Sequence, residues 1–404
     1  MSAFKAVKLT EKIYWVGAVD WAIRDFHGYS TSRGTTYNAF LILADKITLI
    51  DTVKKAFSGE MMSRISSIID PEEIDYIISN HSEMDHTGAL PETISTVHPE
   101  KVFASPMGKK AIAGHFNWDP DIITEVKTGD SISLGNMSMT FIETRMLHWP
   151  DSMVSYIPEE KILFSQDGFG MHLASSERFD DELPLHILDE EALKYYANIL
   201  MPFSPLVTRL IDQLGDLDLD VDLLCPDHGP VWRSNINHII GNWAEWAKQK
   251  PSMKAVIVFD TMWHSTAVLA DAICDGLDSQ GISVRVMPLA SSSRSDVATE
   301  VLDAGALIVG SPTINNQIFP RVADCMTYLK GLKPKNLVGA AFGSYGWSGE
   351  AVEQLESMLG EMNIPLASEG LKINYVPDTE AMEKARDFGV LIGKRIIELA
   401  GESG

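Results

Sequence analysis

Cysteine is scarce in this chain. Among its 404 residues there are three, Cys225, Cys274 and Cys325, far apart and with no CxxC pair. That excludes a disulfide framework, a zinc ribbon and a rubredoxin-like iron site, and leaves the three as small core residues. Basic side chains are also in short supply. The 33 Lys and Arg face 56 Asp and Glu, for a formal net charge of −23, which disfavours nucleic acid and anionic membrane as partners. No apolar run reaches the length of a membrane-spanning helix, and the opening "MSAFKAVKLTEKIYWVG" lacks the apolar region and cleavage site of a signal peptide. The expectation is a cytoplasmic protein. Internal repeats, low-complexity tracts, a G-x-G-x-x-G turn and a Walker loop are all missing, so neither a solenoid nor a dinucleotide or ATP site is expected.

A chain of this length defaults to two domains. The one break in composition is "WAKQKPSMK", residues 246–254, where Lys, Gln, Pro and Ser separate two different patterns. The domains are therefore expected over residues 1–250 and 254–404. In the first, "TTYNAFLILADKITLIDT" reads as a hairpin turning at "ADK". The helix "FSGEMMSRISSIID" and the strand "IDYIIS" follow. Further strands fall at "KVFASP", "IITEVKTG", "SISLG", "SMTFIETRML", "SMVSYIPEEKILFSQD" and "VDLLCPDHG", with helices around "MGKKAIAGHF" and "EEALKYYANILM". This mixture predicts a two-sheet sandwich covered by helices.

Straight after "IDYIIS" comes "NHSEMDHTGALPE", which crowds His81, Glu83, Asp85 and His86 into six positions at a strand end. Buried ionisable groups are costly unless paired or bound to a metal. His148, Asp167 and His228 also follow strands, giving four imidazoles and three carboxylates in all. A single zinc takes four ligands; seven donors suit two metals sharing one carboxylate. Zinc hydrolases on such a sandwich carry H-x-H-x-D-H. Here Glu83 replaces the second histidine, and a hard oxygen donor suits iron. Three carboxylates also offset most of the charge of a diferrous pair. A histidine alone is ordinarily a surface or core residue, which is the reading for His98, His115, His186 and His238. The tandem motif with three later strand-end donors is what points to metal.

From residue 255 strands and helices alternate strictly. "KAVIVFD", "SVRVMPL", "ALIVGS", "LVGAAFGS" and "IPLASEG" read as parallel strands of a doubly wound α/β sheet, with helices through "STAVLADAICDGLDSQG", "RVADCMTYLKGL", "GEAVEQLESMLGEM" and "TEAMEKARDFGVLIGKRIIEL". Ligands bind at the carboxyl ends of such strands. The first end, Thr261, Met262, Trp263, His264, Ser265 and Thr266, sets hydroxyls at a helix start, suited to a phosphate. The second, Ser311, Pro312, Thr313, Ile314, Asn315 and Asn316, and the third, Ser344, Tyr345, Gly346, Trp347, Ser348 and Gly349, suit a flat ring. Trp263 and Trp347 are candidates to flank an isoalloxazine. In isolation, one Ser/Thr-rich turn at a helix start is usually a cap.

The motif H-x-E-x-D-H, followed by "LHWPDS", "SQDGFG" and "CPDHGP", resembles the metallo-β-lactamase-like domain of the flavodiiron proteins, and the three C-terminal loops resemble those of flavodoxin, the second domain of that family. The resemblance covers essentially the whole chain. It implies an αββα metallo-β-lactamase-like sandwich followed by a flavodoxin-like domain. It implies that one iron takes His81, Glu83 and His148, the other Asp85, His86 and His228, with Asp167 bridging, and that FMN occupies the three loops. His27, His172 and Tyr195 would stand near the irons as proton donors. The implied reaction is reduction of dioxygen to water, of nitric oxide to nitrous oxide, or both. Electrons would come from rubredoxin or from reduced deazaflavin coenzyme F-420, since neither half contains a donor module. Head-to-tail homodimers, alone or paired into tetramers, are the family's arrangement. Two rivals remain open: a zinc hydrolase of the metallo-β-lactamase class with a regulatory flavodoxin-like domain, and an electron carrier with a structural N-terminal half.

Overall fold

The computed structural model describes residues 3–217 and 219–402. It divides into two compact units. One comprises Met1–His27, Thr31–Tyr195 and Pro205–Ala244, the other Gly28–Ser30, Tyr196–Ser204 and Glu245–Gly404.

The first unit is built on two sheets. Its seven-stranded sheet runs in the order Val7–Lys8, Ile13–Trp15, Phe40–Ile42, Thr48–Ile50, Tyr76–Ser79, Lys101–Ala104, Ile123–Glu125. The five-stranded sheet runs Ser131–Ser133, Ser138–Glu143, Met153–Ile157, Ile162–Gln166, Leu223–Pro226. Alternate residues of each strand point inward. Ile13, Trp15, Phe40 and Ile78 from one sheet and Phe141, Met153, Phe164 and Cys225 from the other make a single buried core. Fully burying each such aliphatic or phenylalanine side chain contributes about 1.5–3 kcal/mol. The outer face of the larger sheet buries Leu41, Leu49 and Ile77 against Met61, Ile65 and Leu90 from its covering helices. This is the expected αββα sandwich.

The second unit is a five-stranded, all-parallel sheet in the order Ser283–Pro288, Lys254–Phe259, Ala306–Gly310, Val338–Tyr345, Leu371–Asn374. One helix pair packs unusually close. A Cβ on Gly276, in the helix Ser265–Asp278, would lie 2.1 Å from the Arg386 carbonyl oxygen, and one on Gly389, in the helix Thr379–Glu402, 2.2 Å from the Ile273 carbonyl oxygen. Only glycine permits backbones to approach this far.

Three elements differ from expectation. The fifth strand is Leu371–Asn374, not "IPLASEG", whose contribution is an isolated bridge from Leu366 to Gly339. Pro365 has no N–H to donate to a ladder, and the chain bends through Ala367–Glu369 before pairing. The hairpin Phe40–Ile42 and Thr48–Ile50 forms, but Thr35–Tyr37 ahead of it pairs instead with Ala18–Asp20 in a separate ribbon. The helix through "EEALKYYANILM" is α-helical only over Leu185–Tyr195, then widens into a π-helical turn at Tyr196–Leu200.

Candidate metal and flavin sites

Four connections at one edge of the sandwich carry the seven donors. Tyr76–Ser79 is parallel to both neighbours and delivers Asn80–Glu83 into the single helical turn Met84–Thr87. Thr87 steadies that turn by donating its hydroxyl to the carbonyls of Ser82 and Glu83 at 2.9 Å each. His148 lies in the link between the antiparallel strands Ser138–Glu143 and Met153–Ile157. Ile162–Gln166 and Leu223–Pro226 are parallel neighbours whose register shifts between Phe164 and Gln166. Their ends therefore set Asp167 and His228 side by side. Gln166 holds this corner, donating from Nε2 to the Leu147 carbonyl (2.6 Å) and accepting from Asp167 N–H (2.7 Å).

The side chains converge in two groups: His81, Glu83, His148 and Asp167, and Asp85, His86 and His228, within each of which all donor atoms lie within 4.8 Å. Asp167 faces both. Its Oδ2 is 3.3 Å from His81 Nε2 and 2.8 Å from His148 Nε2, while its Oδ1 is 3.4 Å from His86 Nε2 and 3.5 Å from His228 Nε2. Glu83 Oε2 lies 3.4 Å from both His81 Nε2 and His148 Nε2. Asp85 Oδ2 lies 3.3 Å from His86 Nε2 and 3.2 Å from His228 Nε2. Bonds of about 2.1 Å from a divalent metal to nitrogen and oxygen imply edges of roughly 3.0–3.4 Å between donors, and six of these eight separations fall in that range, the other two being 2.8 and 3.5 Å.

The groups also fit cations by what they leave undone. His81 Nε2, His86 Nε2, Asp85 Oδ1 and Asp167 Oδ1 are buried with no hydrogen-bond partner among the described residues, an expensive arrangement unless an ion is coordinated. Burial alone would lower the His81 pKa. The carboxylates of Asp151, Asp167 and Glu83 outweigh it and hold His81 well above the usual range. His86 is likewise lifted to about 9 against its burial, by Asp85 and Asp167. Burial would raise Asp167, but His148, His81 and His86 hold it well below the ordinary carboxylate value. The cage collects positive charge.

Around it stand groups with other tasks. Asp151 Oδ2 accepts from Ser82 N–H (2.6 Å) and lies 3.1 Å from His81 Nδ1. His228 Nδ1 reaches the Thr36 carbonyl. His172 is buried, with Nδ1 2.9 Å from the Thr35 hydroxyl and its ring 4.7 Å from that of His228 and 5.1 Å from that of Tyr195. Desolvation first, then His228, pushes its pKa well down. His27, by contrast, is exposed, with Nε2 3.7 Å from Glu83 Oε1. It lines a cavity of about 830 Å³ together with Phe26, Lys54, Lys55, Glu83, Asp85 and Trp149. Sequence reasoning missed Trp149 and both lysines. Trp149 stands next to His148 and its ring lies 5.4 Å from that of His81, but a lone Trp beside a ligand carries no spacing rule.

In the second unit a cavity of about 530 Å³ opens where the strands end. It is lined by Met262, Trp263, Ser265, Pro312, Thr313, Ile314, Asn315, Ser344, Tyr345, Gly346 and Trp347, all from the three loops singled out above. Tyr375 and Val376 join them, and were hidden from sequence reasoning because the last strand was placed too early. Trp263 and Trp347 are 87% and 90% exposed, an unusual state for tryptophan unless a flat partner covers it. At the helix start His264 takes φ +66°, and the Thr261 hydroxyl is buried with no partner among the described residues, as a cradle for a phosphate requires. Thr266 Oγ1 lies 3.1 Å from Ser344 Oγ, joining the first loop to the third. Ser311 is turned inward, donating to the Pro312 carbonyl and accepting from Phe319 N–H. Asn316, Ser348 and Gly349 lie outside the lining.

Residues 35–229 match the family described as "ODP family beta lactamase" and residues 257–389 the family "Flavodoxin". The chain is 46% identical over 395 residues to the nitric oxide reductase of Moorella thermoacetica, covering 97% of this chain and 99% of that one. Its structure superposes on the rubredoxin oxygen:oxidoreductase of Desulfovibrio gigas with a TM-score of 0.96 at 42% identity, over 98% and 99% of the two chains. The flavodiiron protein of Giardia intestinalis superposes over the full length of both chains, also at 0.96, with 31% identity. The chain belongs to the flavodiiron family, pairing a β-lactamase-like domain with a flavodoxin domain. It is an oxidoreductase whose cofactors are FMN and a non-haem pair of irons.

Proposed function

We propose that this chain reduces dioxygen to water and nitric oxide to nitrous oxide, with His81, Glu83, His148 and Asp167 holding one iron and Asp85, His86, His228 and Asp167 the other. Residues 1–250 form the diiron domain and 254–404 the FMN domain, with Thr261–Thr266 at the phosphate and Ser311–Asn316 and Ser344–Gly349 at the ring. When bound, the iron pair supplies a seat for the diatomic and FMN relays electrons to it. The chain's own groups supply protons and exclude water. His27, 3.7 Å from Glu83 and open to the cavity, is placed to deliver protons from solvent. His172 and Tyr195, both buried beside His228, pass them on within the pocket.

The observation that carries this reading is Asp167, whose two oxygens address two separate donor groups while Glu83 stands where zinc hydrolases have histidine. The relatives' names add both gases and the donor: the Moorella protein is a nitric oxide reductase and the Desulfovibrio protein a rubredoxin oxygen:oxidoreductase. Electrons reach the FMN from rubredoxin or a reduced deazaflavin coenzyme in the cytoplasm, and head-to-tail homodimers bring one chain's FMN to its partner's irons. No helix of the described residues is long and apolar enough to cross a membrane. Elemental analysis and turnover test the proposal together. About two irons and one FMN per chain, with consumption of both gases, are expected for a two-metal site. Zinc with hydrolytic activity would establish the rival hydrolase, and FMN without metal would establish the carrier.

A further inference from the structure

Each of the two donor groups contains one histidine whose outer ring nitrogen faces a buried carboxylate that is not itself a donor. In the first group this contact is closed. His81 Nδ1 lies 3.1 Å from Asp151 Oδ2, which is also fixed by Ser82 N–H at 2.6 Å, and Ser105 donates its hydroxyl to the Asp151 carbonyl at 2.7 Å. In the second group His86 Nδ1 faces Asp227 Oδ2 at 3.6 Å. Both residues are 1% exposed, and neither atom has a hydrogen-bond partner among the described residues.

Two buried, complementary groups with no other partner, a few tenths of an ångström beyond bonding distance, belong together. The backbone of Asp227 is pinned, its N–H donating to the Gln166 carbonyl (2.8 Å) and its carbonyl accepting from Asn38 N–H (2.7 Å). The His86 backbone is held as well, its carbonyl accepting from the Thr52 N–H (3.0 Å) and its N–H donating to the Glu83 carbonyl (3.0 Å), so the contact closes by rotation of the two side chains. Asp85 and Asp167 both address His86 through Nε2, whereas Asp227 addresses Nδ1. Asp227 therefore stands behind the ring, outside the donor set, although its carboxylate lies within 4.8 Å of donor atoms of His86 and Asp167.

We infer that Asp227 is the positioning residue for His86: its carboxylate accepts the Nδ1 proton and so turns Nε2 toward the second metal position, as Asp151 does for His81 at the first. Outer partners of this kind fix the tautomer and orientation of a ligating imidazole. The inference rests on the diiron reading above, and the two positions make it separable from that reading.

The test loads wild-type protein and the variants Asp227→Ala, Asp227→Asn and Asp151→Ala with ferrous iron without oxygen. Iron bound per chain is followed against iron concentration, with FMN per chain and Mössbauer spectra recorded alongside. Asp227→Ala is expected to weaken the second position about 10–100-fold, the typical effect of losing an outer partner, and to remove one of two ferrous environments from the spectrum. Asp151→Ala is expected to remove the other. Asp227→Asn keeps an acceptor oxygen and should recover most of the lost affinity. Unchanged FMN per chain reports an intact second unit, and a wild-type circular dichroism spectrum and melting profile report an intact sandwich. Equal weakening of both positions by Asp227→Ala, or an Asn variant no better than Ala, would overturn the inference. Should the Ala variant not fold, the Asn variant decides, and wild-type affinity with a distinctly perturbed second environment supports the inference while an unperturbed spectrum overturns it. A wild-type protein that takes up no iron pair would instead remove the diiron reading.

Discussion

Asp167 turns one oxygen to His81 and His148 and the other to His86 and His228, so its loss touches both metal positions, whereas Glu83 serves the first alone. Either Asp167→Ala or Glu83→Ala is expected to lower gas consumption by more than about 100-fold, beyond the 10–100-fold effect of an outer-partner mutation. The visible flavin spectrum should be retained, because the FMN loops lie in the other unit, and an oxygen electrode with an absorption spectrum checks both. These donors were legible in sequence because four ionisable groups in six positions at a strand end have no ordinary packing explanation. Asp151 and Asp227 were not. They sit inside the quoted "LHWPDS" and "CPDHGP", but an aspartate in a Pro-containing turn is ordinary turn chemistry, and only the fold aims it at an imidazole. Cysteine gives a pH expectation. Burial, aided by Asp324, pushes the Cys325 thiol up to about 12, against about 8.5 in an unfolded chain. A folded-state pKa that is raised gives stability fully present below the unfolded value and lost as pH climbs through the folded one. Melting temperature should therefore fall between about pH 8.5 and 12 more steeply in wild type than in Cys325→Ala.

The crossing of Ser265–Asp278 with Thr379–Glu402 depends on Gly276 and Gly389. Alanine in a helix gains about 1 kcal/mol over glycine. Here, however, the new methyl of Gly389→Ala would meet the Ile273 carbonyl oxygen at 2.2 Å. Backbone cannot rotate away, and overpacking of this sort costs about 1–3 kcal/mol or more, so the clash is expected to win. Gly389→Ala should lower the Tm by a few degrees, at about 2–4 °C per kcal/mol for a unit of this size, measured by calorimetry of the FMN-loaded protein. The helix and strand order of this unit was legible because strict alternation of apolar strands and amphipathic helices admits few topologies. Its last strand was misplaced for a local reason. "IPLASEG" begins with the better apolar signal, whereas the true strand "LKIN" is an edge strand with alternating partial exposure. The same shift hid Tyr375 and Val376 from the flavin pocket, although Asn374 locks that corner by donating to the Gly346 carbonyl at 2.6 Å. The π-helical turn at Tyr196–Leu200 had no sequence signature beyond a good helix pattern.

The net charge of −23 acts on encounters with partners rather than on the fold. With an acidic rubredoxin as donor, like charges slow association, and raising ionic strength from 0.01 to 0.15 M shortens the screening length from about 30 to about 8 Å. Reduction of the FMN by rubredoxin should thus accelerate with salt in stopped-flow measurements. A rate that falls with salt would place a local basic patch at the docking site. The seven donors come from four separate connections, the last of them at His228, beyond the strand Leu223–Pro226 that closes the smaller sheet. During synthesis a growing chain therefore offers only fragments of the cage until that final strand emerges and docks. Iron capture becomes a late event, reserved for molecules whose sandwich has already closed.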